Sequence, residues 1–248
     1  MWFEKPERFQ LDQLAAMVTR ATGNGLHIAL APQAMWYSDE ARARFDAEVD
    51  EQSARYDRKT RGEPEFTDIA ELLSTPGEAR YGWYSDLTND VRLAALVASG
   101  PRFGLIAVRE SSEVYLRTFW RDHLSSVLAA ILPAEVWKGQ YEPFSVSRKE
   151  ILDAREERFG APRPKRTVLQ AERLIGLKPY AIAELSAEMR DHQGHRRRSD
   201  PPLRVYDTDE GRWTVSVSHQ FGDELLRFAP ADLDDVAQSL DGLRRELG

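Results

Sequence analysis

A chain of 248 residues with 42% apolar and 30% charged content can bury a full core, which excludes wholesale disorder and leaves one large domain or two packed halves. The absence of cysteine excludes disulfides, thiol catalysis and thiolate metal sites, and a net charge of -7 argues against a dedicated binder of phosphate backbones. No apolar run approaches the roughly 20 residues that cross a bilayer and Met1 to Arg8 lacks a signal peptide's apolar stretch, so a cytoplasmic chain without membrane contact is expected.

Leu11, Leu14, Ala15 and Val18 fall on one helical face, and Gly23-Asn24-Gly25 ends that first helix. Leu26 to Ala31 is short, apolar and bounded by Pro32, which reads as a strand end or a buried extended segment. Ser38 caps a helix running to Arg58, with Ala41, Phe45, Val49, Gln52 and Tyr56 as one stripe among charges. Beyond Gly62-Glu63-Pro64, Thr67 caps a short helix carrying Ile69, Leu72 and Leu73, which Thr75-Pro76-Gly77 stops. Tyr81 to Tyr84 reads as a strand that turns at Ser85 to Asp90. Leu93, Ala95 and Val97 then alternate, Gly100-Pro101-Arg102 turns, Phe103, Leu105 and Ala107 alternate, and Val114, Leu116 and Thr118 alternate. A helix follows from Trp120 or Arg121 to Leu132. Ala134 to Phe144 is irregular, and the junction between the halves is placed there, dividing the chain into 1–139 and 140–248.

Two capping-box spacings, Ser147 to Glu150 and Thr167 to Gln170, each predict a helix start, with Gly160 to Lys165 as a stiff basic linker between them. Gly176 closes the second of these helices, and Pro179 opens a further one with Ile182, Leu185 and Met189 facing inward. Asp191 to Pro202 is a polar, Arg-rich loop. The plan of Leu93 to Leu132 then returns over Leu203 to Leu247. Leu203 and Val205 alternate, Asp207 to Gly211 turns, Trp213, Val215 and Val217 alternate, and Leu225 to Phe228 runs back. A helix beginning at Pro230 carries Leu233, Val236, Ala237, Leu240, Leu243 and Leu247 as one seam. Arg102-Phe103 matches Arg212-Trp213, so the chain reads as a scaffold built twice, whose use lies in its surface.

Neither copy carries a catalytic, cofactor or metal signature. Asp207-Thr208-Asp209-Glu210-Gly211 begins like a calcium loop, but the later bidentate carboxylate and helical context are missing, and a hairpin turn accounts for its Asp and Gly. His192 and His195 with Asp191 lack a fourth zinc partner, and His27, His123 and His219 have no spaced serine or carboxylate that nominates a triad. The basic runs at Arg163 to Arg166 and His195 to Arg198 lack interleaved aromatics and read as solvated loops, with contact to an acidic protein as the functional alternative. No glycine-rich phosphate cradle is present. Tyr81, Trp83 and Tyr84, with Arg109, Tyr115 and Arg117 on neighbouring strands, are residue types enriched at interface hot spots, and they place large aromatics on both faces of the sheet.

The stretches Glu78 to Tyr84, Arg92 to Gly100, Ile106 to Arg109 and Val114 to Arg117 resemble the N-terminal half of the EspG family, type VII (ESX) secretion-associated proteins of actinobacteria. Arg196 to Ser199, Val205 to Thr208, Gly211 to Trp213 and Ala229 to Leu233 are similar to its C-terminal half. The resemblance implies an α+β fold of two pseudo-symmetric halves sharing a central antiparallel β-sheet flanked by helices, with a helical C-terminal region. It implies a cytosolic, non-enzymatic chaperone without cofactors, capping the hydrophobic tip of a helical PE-PPE or WXG/PPE-like substrate. The candidate partner contacts are Trp83, Tyr84, Leu87, Arg109, Tyr115 and Arg117. Well-described members carry a long cargo-touching loop between the second and third strands, where this chain has only Ser85 to Asp90, which suggests a different cargo. The rival readings are a hydrolytic or ligand-binding α+β domain, which requires a deep polar pocket with perturbed titratable groups, and a nucleic-acid regulator using Arg196 to Arg198. Monomer and dimer both remain open.

Overall fold

The computed structural model describes residues 3, 5–33, 36–56, 64–120, 122–156, 163–220 and 222–248. The first half runs β1 (Glu7–Gln10), α1 (Leu11–Thr22), α2 (Asp39–Tyr56), α3 (Phe66–Ser74), β2 (Glu78–Asp86), β3 (Val91–Ser99), β4 (Gly104–Glu110), β5 (Glu113–Phe119) and α4 (Leu124–Ala129). The second runs β6 (Phe144–Ser147), α5 (Arg148–Arg155), α6 (Arg166–Gly176), β7 (Ala181–Arg190), β8 (Arg196–Arg198), β9 (Leu203–Thr208), β10 (Gly211–Gln220), β11 (Asp223–Pro230) and α7 (Leu233–Glu246). The strands form one antiparallel sheet in the order β1-β5-β4-β3-β2-β7-β9-β10-β11-β6, with β8 on the end of β7. Read outward from the central β2–β7 pair, the order is the same in both directions. Each half contributes an inner strand, a meander and a short outer strand that leads straight into a helix, which is the pseudo-symmetry expected of a duplicated plan.

Helices enclose this sheet from both sides. On one face, α1, α2 and α3 pack over β1 to β5 around Phe9, Leu14, Leu73, Leu96, Leu105 and Leu116. Farther along that face, α5 and α6 cover Val146 and Phe228. On the opposite face, α4 and α7 share a core with Tyr84, Val97, Leu185 and Val205, across the middle of the sheet.

Local chemistry explains the boundaries. The Ser147 capping box is present, with its Oγ accepting from Glu150 N, and α7 opens on a second box between Asp232 and Asp235. Ser38 Oγ accepts from Ala41 N at the start of α2. Arg58, the expected end of that helix, and Gly160 to Pro162 of the expected linker lie outside the described residues. The Asp207 to Gly211 turn is a hairpin between β9 and β10, and Gly211 supplies its φ of 95°.

Several expectations are corrected. The segment from Pro179 to Met189 is not a helix but leads into the strand β7. Ala181, Ala183, Leu185 and Ala187 face one side, while Ser186 and Glu188 on the other side are also buried, so a strand buried twice shows no clean alternation. Leu26 to Ala31 forms no strand; it turns, held by His27 N to Leu73 O (2.7 Å) and Leu30 N to His27 O (2.8 Å). Thr67 and Thr167 are not caps, since Glu65 caps α3 in a box with Asp68, and α6 starts at Arg166 behind Lys165. The helix expected from Trp120 to Leu132 is confined to Leu124–Ala129. Two four-residue outer strands, β1 and β6, and the three-residue β8 were not anticipated.

The chain between the halves is clamped by a buried ion pair. Arg212, fully buried, donates from Nε and Nη2 to the two oxygens of Asp207 at 2.7 and 2.9 Å, and Nη2 also reaches Pro133 O at 2.8 Å. Backbone bonds from Arg212 N to Trp137 O and from Gly139 N to Arg212 O fix the connector alongside. Arg212→Ala leaves the Asp207 carboxylate buried and alone, and is expected to lower unfolding free energy by about 3–5 kcal/mol in denaturant titration. The double variant Arg212→Met/Asp207→Leu, which removes both charges, is expected to lose far less, giving a large coupling energy in the cycle.

Candidate functional site

The register defines one row of residues crossing ten strands on a single face: Phe9, Val114, Arg109, Ala94, Trp83, Glu184, Arg204, Val215, Phe228 and Phe144. Its ends are sealed, with Phe9 and Val114 fully buried under the N-terminal helices and Phe228 stacked on Phe144 at 5.2 Å. Its middle is open. Trp83 is 40% exposed, and the Glu184 and Arg204 side chains are 44% and 47% exposed. The positions behind them on the other face, Tyr84, Ala183, Val205 and Thr214, are all buried. The helices therefore leave one uncovered strip along the middle of the sheet, on the face that α1–α3 and α5–α6 flank.

Ile182 and Tyr206, paired two residues farther along β7 and β9, continue the strip, and both are half-buried. Beside them a cavity of about 260 Å³ lies between the end of α6 and the strands, lined by Leu174, Ile175, Leu177, Tyr206, Val215 and Leu226. Ile175 at its mouth is 46% exposed, and Ile28 on the turn before α2 is 51% exposed. The strip thus combines apolar side chains with one ion pair, Arg204 Nε to Glu184 Oε1 at 3.0 Å, whose exposure makes it worth little to stability.

The expected contacts divide between the faces. Trp83 and Arg109 lie in the open row on either side of Ala94, and Arg109 donates from Nη1 to Ala31 O at 2.7 Å. Leu87, 54% exposed, begins the β2–β3 turn and donates its N–H to Tyr180 O. Tyr84 is turned to the other face and is 6% exposed; burial, with Asp86 and Asp207 nearby, pushes its hydroxyl up to about 12, so it stays neutral. Tyr115 and Arg117 share that second face through their pairings with Val108 and Ile106. The Tyr115 hydroxyl donates to Glu113 at 2.7 Å. Ile28, Ile175, Ile182, Tyr206 and the Glu184–Arg204 pair were missed, because β7 was read as a helix and its strand partners could not be aligned.

The titratable groups are used for cohesion. Burial opposes the Asp235 charge, but a hydrogen bond from Lys138 and the α7 cap outweigh it and hold the carboxyl below its usual range. Ser125 Oγ donates to Asp241 at 2.5 Å and accepts from Arg80 Nε, which is a structural link between α4, α7 and β2. Among the described residues no group of three or more His, Cys, Asp or Glu is placed to hold a metal, and no helix is long and apolar enough to cross a membrane.

The model of the EspG family matches residues 10–242. The chain belongs to the EspG family. No curated protein matches it in sequence. Among solved structures, the Mycobacterium tuberculosis type VII secretion system chaperone EspG5, in complex with the PE25-PPE41 dimer, is similar with a TM-score of 0.63 over 98% of this chain and 97% of that one, at 13% identity. The EspG fold, with its large antiparallel sheet and flanking helices, is therefore shared at low sequence identity. If the open strip is a surface rather than an unfinished core, Trp83→Ser should shift the melting temperature little, whereas Phe228→Ala should cost about 3–5 kcal/mol by thermal or chemical unfolding.

Proposed function

We propose that this EspG-family chain is a cytoplasmic chaperone of type VII secretion that binds a helical substrate, a PE-PPE heterodimer or WXG/PPE-like protein, and covers its hydrophobic tip. It is a binding protein and makes or breaks no bond. The observation that carries this reading is the uncovered strip, where Trp83 is held 40% exposed beside Glu184 and Arg204 in a row whose two ends are sealed by core. Family membership and the solved EspG5 complex support the choice of partner. An exposed apolar helix tip aggregates in water, and a standard interface of roughly 1,200–2,000 Å² suffices to keep it covered yet releasable.

Within this reading Trp83, Leu87 and Arg109 serve the docking face, and Tyr84, Tyr115 and Arg117 support the sheet from behind. The β2–β3 turn is short and tied down, with Asp86 Oδ1 accepting from Thr88 N and Asn89 N, both at 2.9 Å. A cargo therefore meets the sheet and the ends of the helices more than a projecting loop, which fits a cargo different from those of long-loop members.

Co-expression with the helical substrate pair encoded beside the chain's own gene is expected to give a soluble 1:1 complex by size exclusion. Trp83→Ala should weaken it by about 2 kcal/mol or more in titration calorimetry, while Arg117→Ala should change it by less than about 0.5 kcal/mol. Failure of every helical substrate of that cluster to bind, or equal losses from both variants, contradicts the reading.

A further inference from the structure

On the same face as the open strip, four residues along β7 from Glu184, a buried carboxylate joins a charged cluster that neither the docking surface nor the core requires. Glu188 on β7 has no exposed surface, and its Oε2 takes hydrogen bonds from His27 Nε2 at 3.2 Å and Arg196 Nε at 2.6 Å, with Arg196 Nη2 2.5 Å away in the same ion pair. Oε1 has no partner among the described residues. Burying a carboxylate costs several kcal/mol, and one oxygen left unbonded adds to that, so apolar side chains of similar size would stabilise the same space as well or better. What the cluster supplies is definition of position.

The contacts show what is positioned. His27 Nδ1 accepts from Ala29 N at 3.2 Å, so the proton of the neutral ring sits on Nε2 and points at Glu188. That choice of tautomer fixes the turn through Leu30, from which Ile28 projects into solvent. The far end of the turn is held at Ala31 O by Arg109, a member of the open row. The His27 ring also packs edge-on against Tyr81 at 4.7 Å, and Tyr81 packs edge-on against Trp83 at 5.8 Å. A continuous line of contact therefore runs from Arg196, on the basic segment, through Glu188, His27 and Tyr81 to the exposed indole.

We propose that the His27–Glu188–Arg196 cluster is a positioning device for the docking face, fixing the Ile28–Ala31 rim and the orientation of the Trp83 indole. The proposal rests on the docking function above. It gives the arginine run a structural role, in which Arg196 faces inward to Glu188 and Arg197 bonds Leu247 O at the end of α7.

The test separates position from stability. In Glu188→Met/Arg196→Met, with His27 intact, the melting temperature is expected to hold or rise. Amide exchange at Ala29 and Leu30 should nevertheless accelerate by roughly tenfold or more, and the Trp83 resonance of fluorotryptophan-labelled protein, assigned with Trp83→Phe, should broaden. With the helical pair captured by co-expression, affinity should fall by about tenfold. If the double variant does not fold, Glu188→Gln is measured by the same three readouts, with the same changes expected. Unchanged exchange and an unchanged fluorine resonance in the variant that folds overturn the proposal. Because those two readouts need no cargo, absence of any complex counts against the docking function and leaves the positioning result to be judged separately.

Discussion

The ladder between β2 and β7 is the constraint on which everything else depends. Nine consecutive pairs, from Glu78–Met189 to Asp86–Ala181, join the two halves in the middle of the sheet. The approach is close enough that Gly82 has no room for a side chain, since a Cβ there would sit 2.3 Å from Glu184 O and 2.6 Å from Leu185 Cδ2. The register also decides which residues share a face. A slip of one residue would put Tyr84 in the open row and drive Trp83 into the layer beneath α4 and α7.

A duplicated scaffold would cover its sheet evenly if its helices were equal, and they are not. On the continuous face α7 has fourteen residues and α4 only six, yet together they seal the centre. On the other face the helices of each half sit over that half's own strands, and among the described residues no helix spans the join, which only the His27 turn reaches across through Glu188. The open strip is thus a consequence of symmetry: two copies, each covering its own meander, leave the seam between them bare. The Glu184–Arg204 pair and Arg109 interrupt the apolar side chains there, so the strip sets charge beside the exposed Trp83 indole.

This logic also explains which parts could be read from the residues alone. The hairpins of each half, the Ser147 box and the seam of α7 announce themselves, because each is fixed by local chemistry and one-sided burial. The central strand β7 does not, since burial on both faces and three alanines give it a composition that suits a helix equally well. Losing β7 hides the site as well. Trp83 stands out as an interface type, but its neighbours Glu184 and Arg204 become neighbours only through a strand whose register is set at long range. Tyr84, one residue away from Trp83, has the same composition signal and the opposite fate, because facing is a property of pairing and not of residue type.

The placement of buried charge completes the argument. Buried Arg212 and Asp207 hold the connector to the second half, buried Arg80 joins β2 to Ser125 of α4 while the half-exposed Glu78 takes Arg244 of α7, and buried Glu188 joins His27 of the first half to the partly exposed Arg196 of the second. Each cluster lies where segments distant in sequence meet. Apolar surfaces tolerate small shifts and rotations against one another, whereas a carboxylate that must receive two or three donors admits one arrangement. In a protein assembled from two similar halves, the non-directional part of the core permits more than one way of joining them. Directional charge at the joints adds bonds that only one arrangement satisfies, and that arrangement carries the set of faces from which the open strip follows.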